Sequence, residues 1–330
     1  MLSRRRPAVM LALVLQCLSI TMNANLGAQG PEQGEPLMLD MPAGKLAGTL
    51  LMPKASGAVP LAVIIPGSGP TDRNGNSPLI PGANNSLKLL AEGLAAHGIA
   101  SLRYDKRGIG ASAASNIKEA DLRFSNSADD AAAWVDRLRQ DSRFSTITII
   151  GHSEGSLVGM LAAQKSATDG YVSIEGAGRP ADKILREQLG KQLPPDLLAV
   201  ANRALDKLVA GSLVDSVPRQ LLALYRPSVQ PYLISWLQVN PQVEVAKLKV
   251  PVLLVQGTLD AQVPEGDVKL LAAAQPKAKL IIVEGMNHVM KRTAADQASQ
   301  AKSYSDPSIP IPQELIDGVS AFIKSVPRHK

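Results

Sequence analysis

The 330-residue sequence predicts an α/β fold, and three features predict it. Short runs rich in valine, isoleucine and leucine alternate with amphipathic stretches. The runs are apolar at successive positions rather than at every second one, and most of them end at a glycine. Strands of that kind are buried on both faces, so they belong in a mostly parallel sheet with helices on either side. A hydrophobic content of 45% supplies the core, and a charged content of 19% is too low for a disordered chain.

The N-terminus has the pattern of an export signal. "MLSRRRP" carries three arginines, "AVMLALVLQCLSITM" is apolar over secretory length, and "NANLGA" ends in small residues. Residues 1–28 are therefore expected to be removed, leaving a periplasmic or secreted protein. Arg4, Arg5 and Arg6 leave with them, so 35 basic residues become 32 against 29 acids and the net charge falls from +6 to +3. No basic run interleaved with aromatics remains, so no nucleic-acid partner is expected. No stable membrane insertion is expected once the signal has gone. Cys17, the single cysteine, would leave too, which excludes disulfides and a thiol nucleophile from the mature chain.

Residues 29–36 form a polar leader. "LMLDM" (37–41) and "LAGTLLM" (46–52) predict two strands joined by a turn, and "LAVIIPGSG" (61–69) a buried strand running into a glycine loop. "LKLLAEGLAAHG" (87–98) predicts a helix stopped by Gly98, and "IASLRYD" (99–105) a strand. "SADDAAAWVDRLRQ" (127–140) predicts a helix capped by Ser127, with acids in its first turn. "TITII" (146–150), "YVSIEG" (171–176), "VPVLLVQG" (250–257) and "AKLIIVEG" (278–285) predict further strands, and "PQELIDGVSAFIKSV" (312–326) a closing helix. Residues 177–247 interrupt this order. They hold helical leucine spacing at 185, 189 and 193, several prolines and no strand run, as expected of a helical cap. The core is expected at 37–176 and 248–330.

In parallel sheets ligands gather beyond the carboxyl ends of the strands, where Gly67, Asp105, Ser153, Asp260 and His288 all fall. "GHSEG" (151–155) follows a strand and precedes a helix. A serine presented there needs a turn too sharp for neighbouring Cβ atoms, which explains Gly151 and Gly155. A serine hydroxyl is a weak nucleophile and needs a base. Of four histidines, His152 adjoins Ser153, His97 lies at the wrong end of a helix and His329 is penultimate, which leaves His288. Asp260 follows a strand end ahead of His288 and is the expected acid. Glu175 at the preceding strand end is the competitor, and Asp105 is assigned to a brace with Arg103, Lys106 or Arg107. Backbone N–H groups of Ser68 and Glu154 are the expected oxyanion donors. Neither a P-loop nor a dinucleotide fingerprint is present, and neither a metal nor another cofactor is expected. Tyr225, Tyr232 and Trp236 crowd the end of the cap, where they either pack the cap helices together or wall a substrate pocket above Ser153.

"PGSGPTDRNGN", "RYDKRGIGAS", "GHSEGSLVGML", "PVLLVQGTLDAQVP" and "MNHV" together resemble bacterial exported α/β-hydrolases related to serine aminopeptidases and dipeptidyl-peptidase-like esterases. The resemblance runs over about residues 37–326, with Pro66 standing where many relatives have histidine. It implies an α/β-hydrolase fold and hydrolysis of a small carboxylic ester, or of a short peptide or amide, by Ser153, Asp260 and His288. Esters of short to medium acyl chains are the first expectation and amide or peptide bonds the second. A non-catalytic binding protein on the same fold is the alternative of another class.

Overall fold

The computed structural model describes residues 34–112 and 118–328. Eight strands form one sheet in the order β1-β2-β4-β3-β5-β6-β7-β8. Strands β1 (Glu35–Met41) and β2 (Gly44–Leu51) form an antiparallel hairpin. Strand β2 also pairs antiparallel with β4 (Ala100–Tyr104). From there β3 (Val59–Ile65), β5 (Phe144–His152), β6 (Gly170–Ile174), β7 (Val252–Gly257) and β8 (Lys279–Val283) run parallel.

The central strands are buried at nearly every position, as their unbroken apolar runs require. Two apolar clusters lie on the two faces of the sheet. One gathers Trp134, Leu138, Met160 and the cap, and the other Leu90, Leu94, Leu315 and Phe322. Helix Ser86–Ala96 and helix Gln313–Ser325 cover the second face, while Phe124–Arg139 and Glu154–Ala163 cover the first.

Between β6 and β7 come helices Ala181–Gln192, Pro195–Val209, Leu222–Tyr225, Gln230–Leu237 and Pro241–Ala246, with no strand among them. This is the segment in which leucine spacing predicts a cap. Helices Glu265–Ala274 and Gln297–Ser303 have no counterpart in the expected series. Each spans few turns and offers little periodic signal.

Two expectations are corrected. The helix expected at 127–140 begins at Phe124 rather than after Ser127, so Ser127 sits inside it. Asn126 accepts a hydrogen bond from the Arg123 N–H at 2.8 Å, and the Phe124 N–H is taken by Ser235 of the cap at 2.8 Å. Tertiary contact thus satisfies an end that the serine was expected to cap. The leader is also shorter than expected, because Glu35 and Pro36 already pair with Leu50 and Thr49. The expected signal, residues 1–28, lies outside the described residues, as does His329.

Candidate active site

Strand β5 ends at His152, and helix Glu154–Ala163 begins two residues later. Ser153 joins them with φ 55° and ψ −122°, a conformation that a side chain adopts only under constraint from its surroundings. The glycines on either side supply that constraint. A Cβ on Gly151 would stand 2.2 Å from the Gly155 carbonyl oxygen, and one on Gly155 would stand 2.5 Å from that of Ile65. The helix also approaches the sheet at Gly159, where an added Cβ would meet Ile149 and Tyr171 at 3.0 Å.

His288 and Asp260 arrive on the loops after β8 and β7. His288 Nε2 lies 3.0 Å from Ser153 Oγ, and its Nδ1 lies 2.7 Å from Asp260 Oδ2. With Nδ1–H donating to the carboxylate, Nε2 is left to accept the serine proton. Asp260 Oδ1 accepts the backbone N–H of Gln262 at 2.7 Å and of Val263 at 2.9 Å, which fixes the carboxylate plane. Burial works against the Asp260 charge. The facing His288 and these hydrogen bonds outweigh it and hold the carboxyl below its usual range.

Glu175, the competing acid, is fully buried beside Asp260 and not beside the imidazole. It accepts the Gly257 N–H at 2.9 Å and a hydrogen bond from Gln256. Burial first, and then the Asp260 charge, push its carboxyl well above the usual range. Two carboxyls in contact inside a protein hold one proton between them, and here Glu175 keeps it.

His152 points away from Ser153, as expected. Its ring Nε2–H donates to the His288 carbonyl at 2.7 Å, tying the strand end to the loop that carries the imidazole. Burial, reinforced by His288, lowers its pKa to about 4. The adjacency that disqualifies it as a base is what makes it a tether, and the sequence carries no separate sign of that role.

Ser68 and Glu154 both line the cleft that contains Ser153. The loop carrying Ser68 is gripped from outside. Lys106 Nζ donates to the carbonyls of Gly67 at 2.5 Å and Gly69 at 2.7 Å, one on each side of Ser68. The sequence offers Arg103, Lys106 or Arg107 as the partner of Asp105. Instead Asp105 binds Arg73, whose Nη2 lies 2.7 Å from Asp105 Oδ2 and whose N–H lies 2.8 Å from Oδ1. Arg103 bonds Asn74, and Arg107 holds Asp130 at 2.6 Å. The brace is therefore built across loops rather than within "RYDKR". Local sequence proximity misleads because Asp105, Lys106 and Arg107 lie past the end of β4, where their partners come from segments distant in sequence.

The three cap aromatics divide. Trp236 lines the cleft above Ser153 and stacks on Phe124 with ring centroids 6.0 Å apart. Tyr232 donates its hydroxyl to Glu154 Oε1 at 2.8 Å, linking the cap to the residue after the serine. Tyr225 is wholly buried among the cap leucines and walls no cleft at Ser153, which corrects the pocket expectation for that residue and leaves it the core-packing one.

A serine at a sharp strand-to-helix turn, with an imidazole and a buried carboxylate at the carboxyl edge of a mostly parallel sheet, defines a hydrolase-type α/β protein. The chain belongs to the alpha/beta hydrolase family, whose sequence model matches residues 62–296. It is similar to the esterase EstD of Thermotoga maritima, at 27% identity over 265 residues, 76% of this chain. That match spans 59% of the length of the relative. Est1E from Butyrivibrio proteoclasticus, solved with ferulic acid, superposes with a TM-score of 0.57 at 20% identity, covering 88% of this chain and 100% of that one. A thermophilic esterase from Thermogutta terrifontis, solved with malate, gives 0.53 at 15% identity, covering 88% and 98%. Both structural likenesses concern the fold.

Proposed function

We propose that the chain hydrolyses carboxylic esters through an acyl-enzyme on Ser153. The observation that carries this reading is the unbroken line of hydrogen bonds from Ser153 through His288 to Asp260, at 3.0 and 2.7 Å. The esterase name of the Thermotoga relative supports the choice of esters over amides.

Ser153 Oγ attacks the ester carbonyl carbon while His288 Nε2 takes its proton. Asp260 stabilises the imidazolium without itself becoming protonated. The backbone N–H groups of Ser68 and Glu154 receive the oxyanion, each worth about 3 kcal/mol in such sites. The tetrahedral intermediate collapses by breaking the bond to the alcohol oxygen, which takes the proton from His288. Water then adds to the acyl-enzyme with His288 again as base, and the acid and free serine separate.

The acyl half occupies the cleft under the cap, walled by Leu157, Ile184, Leu185, Trp236 and Val263. Its limited apolar surface suits short to medium chains.

A fluorophosphonate probe is expected to label Ser153, and Ser153→Ala to abolish both labelling and hydrolysis of p-nitrophenyl butyrate. Labelling of the alanine variant would reject this nucleophile. Faster cleavage of aminoacyl-p-nitroanilides than of esters would move the reading to amide bonds.

Export is part of the same proposal, supported by the arginine-led apolar segment at residues 4–22. Envelope protein is expected to begin near Gln29, and an intact N-terminus on protein held in the cytoplasm would reject it.

A further inference from the structure

Two clefts meet at Ser153, and they differ in chemistry. The first is the apolar one under the cap. The second lies between the loop at 67–86 and the segment at 288–304. Ser153 lines both, whereas His288 lines only the second. An ester cleaved at Ser153 must place its departing oxygen within reach of His288 Nε2, the atom that protonates it. The alcohol half therefore leaves through the second cleft.

Among the described residues, no Asp, Glu, Lys or Arg side chain lines that cleft. A phosphate or quaternary ammonium carried by the alcohol would be desolvated there without a counter-charge. The wall is nevertheless polar. Ser86 Oγ is buried and has no hydrogen-bond partner among the described residues. The Tyr304 hydroxyl accepts from Gln262 Nε2 at 2.8 Å, and among the described residues its own proton has no acceptor. Gln262, which lines both clefts, is part-buried and spends its side-chain N–H on that hydroxyl. Buried polar groups are ordinarily paired, so a wall of unmatched neutral donors and acceptors is suited to a ligand that supplies the missing halves.

We propose that the second cleft binds the alcohol half of the substrate and that this alcohol is neutral and rich in hydroxyls, as in a sugar or polyol. The inference rests on the ester-hydrolase reading and adds the substrate class to it. The bond broken is the acyl carbon–oxygen bond. The released alkoxide oxygen takes the proton that His288 received from Ser153, and the sugar departs with all its hydroxyls intact.

Three butyrates test it with the acyl half held constant: methyl glucoside 6-butyrate, butyl butyrate and butyrylcholine. In the parent, kcat/KM for the glucoside ester is expected to exceed that for butyl butyrate by about tenfold or more, the gain from a few neutral hydrogen bonds. Butyrylcholine is expected to be slowest. Ser86→Ala and Tyr304→Phe are each expected to lower the glucoside-to-butyl ratio several-fold. A parent ratio near one, a preference for butyrylcholine, or a ratio unmoved by both substitutions would overturn the proposal. If Ser86→Ala fails to fold, the parent ratio and Tyr304→Phe decide it. Hydrolysis of p-nitrophenyl butyrate is measured alongside. With that activity present, a flat ratio rejects the sugar class alone; with no ester cleaved, the ester reading falls as well.

Discussion

Asp260 and Glu175 show how two carboxyls a strand apart acquire different roles. Both sit at strand ends, and sequence alone left them in competition for the imidazole. The structure gives His288 to Asp260 at 2.7 Å and sets Glu175 behind it as a neutral group. Asp260→Asn should therefore lower kcat by about 10⁴, since an amide favours the wrong histidine tautomer. Glu175→Gln replaces a neutral acid by a neutral amide and should cost less than about tenfold, within the range of one altered hydrogen bond. Parallel kcat measurements on purified, folded variants check the pair, and the reverse ranking would exchange their roles. Lys106 gives a third test at this scale. Lys106→Met frees the Gly67 and Gly69 carbonyls and loosens the loop carrying Ser68, so kcat should fall by as much as about 10², short of the loss of a whole oxyanion donor. A lower kcat with nearly constant KM is the signature sought, because the oxyanion forms only in the transition state.

At the scale of elements, the parallel strands were legible because burial on both faces leaves an unbroken apolar run. The serine turn was legible too, because only glycine tolerates contacts as close as those at 151 and 155. What could not be seen was contact between distant segments: Ser235 closing the helix at Phe124, Arg73 reaching Asp105, Lys106 gripping the glycine loop. Such contacts are fixed by packing, and no local spacing encodes them. The cap shows the same limit, since proximity in sequence grouped three aromatics that the fold separates. Trp236→Leu should widen the apolar cleft and shift preference toward longer acyl chains, measured as kcat/KM across p-nitrophenyl acetate, butyrate and octanoate. Tyr225→Ala should leave that preference unchanged while destabilising the protein by about 3–5 kcal/mol, as large-to-small changes in a core do. Equal effects of the two on chain-length preference would place Tyr225 in the pocket after all.

For the whole molecule, acid sensitivity follows from the buried His152. Its folded pKa of about 4 lies below the unfolded value of about 6.5, so the unfolded chain binds the extra proton first. The stability this contributes is present above pH 6.5 and is lost as pH falls toward 4, by about 3 kcal/mol in all. Glu175 acts with the opposite slope, because its folded carboxyl holds a proton that the unfolded chain has released. The contribution of His152 is therefore best seen as a difference. His152→Asn should melt with a shallower fall between pH 6.5 and 4 than the parent, followed by calorimetry or circular dichroism. Parallel curves would mean that the ring is charged in the folded state.

The cap leaves the sheet after β6 and returns at β7, and these two strands are hydrogen-bonded neighbours, Tyr171 opposite Val252 through Ile174 opposite Val255. Its two ends are therefore held side by side whatever lies between them. Closing a loop of fixed span grows costly only slowly with length, about 0.6 kcal/mol for each doubling. Changes of length within residues 177–247 thus add little closure cost to the frame that holds Ser153, Asp260 and His288, provided that the contacts made by Tyr232 and Ser235 are kept. A lineage could trade one roof for another, and with it one diet of acyl groups for another, while the chemistry beneath stayed in continuous use.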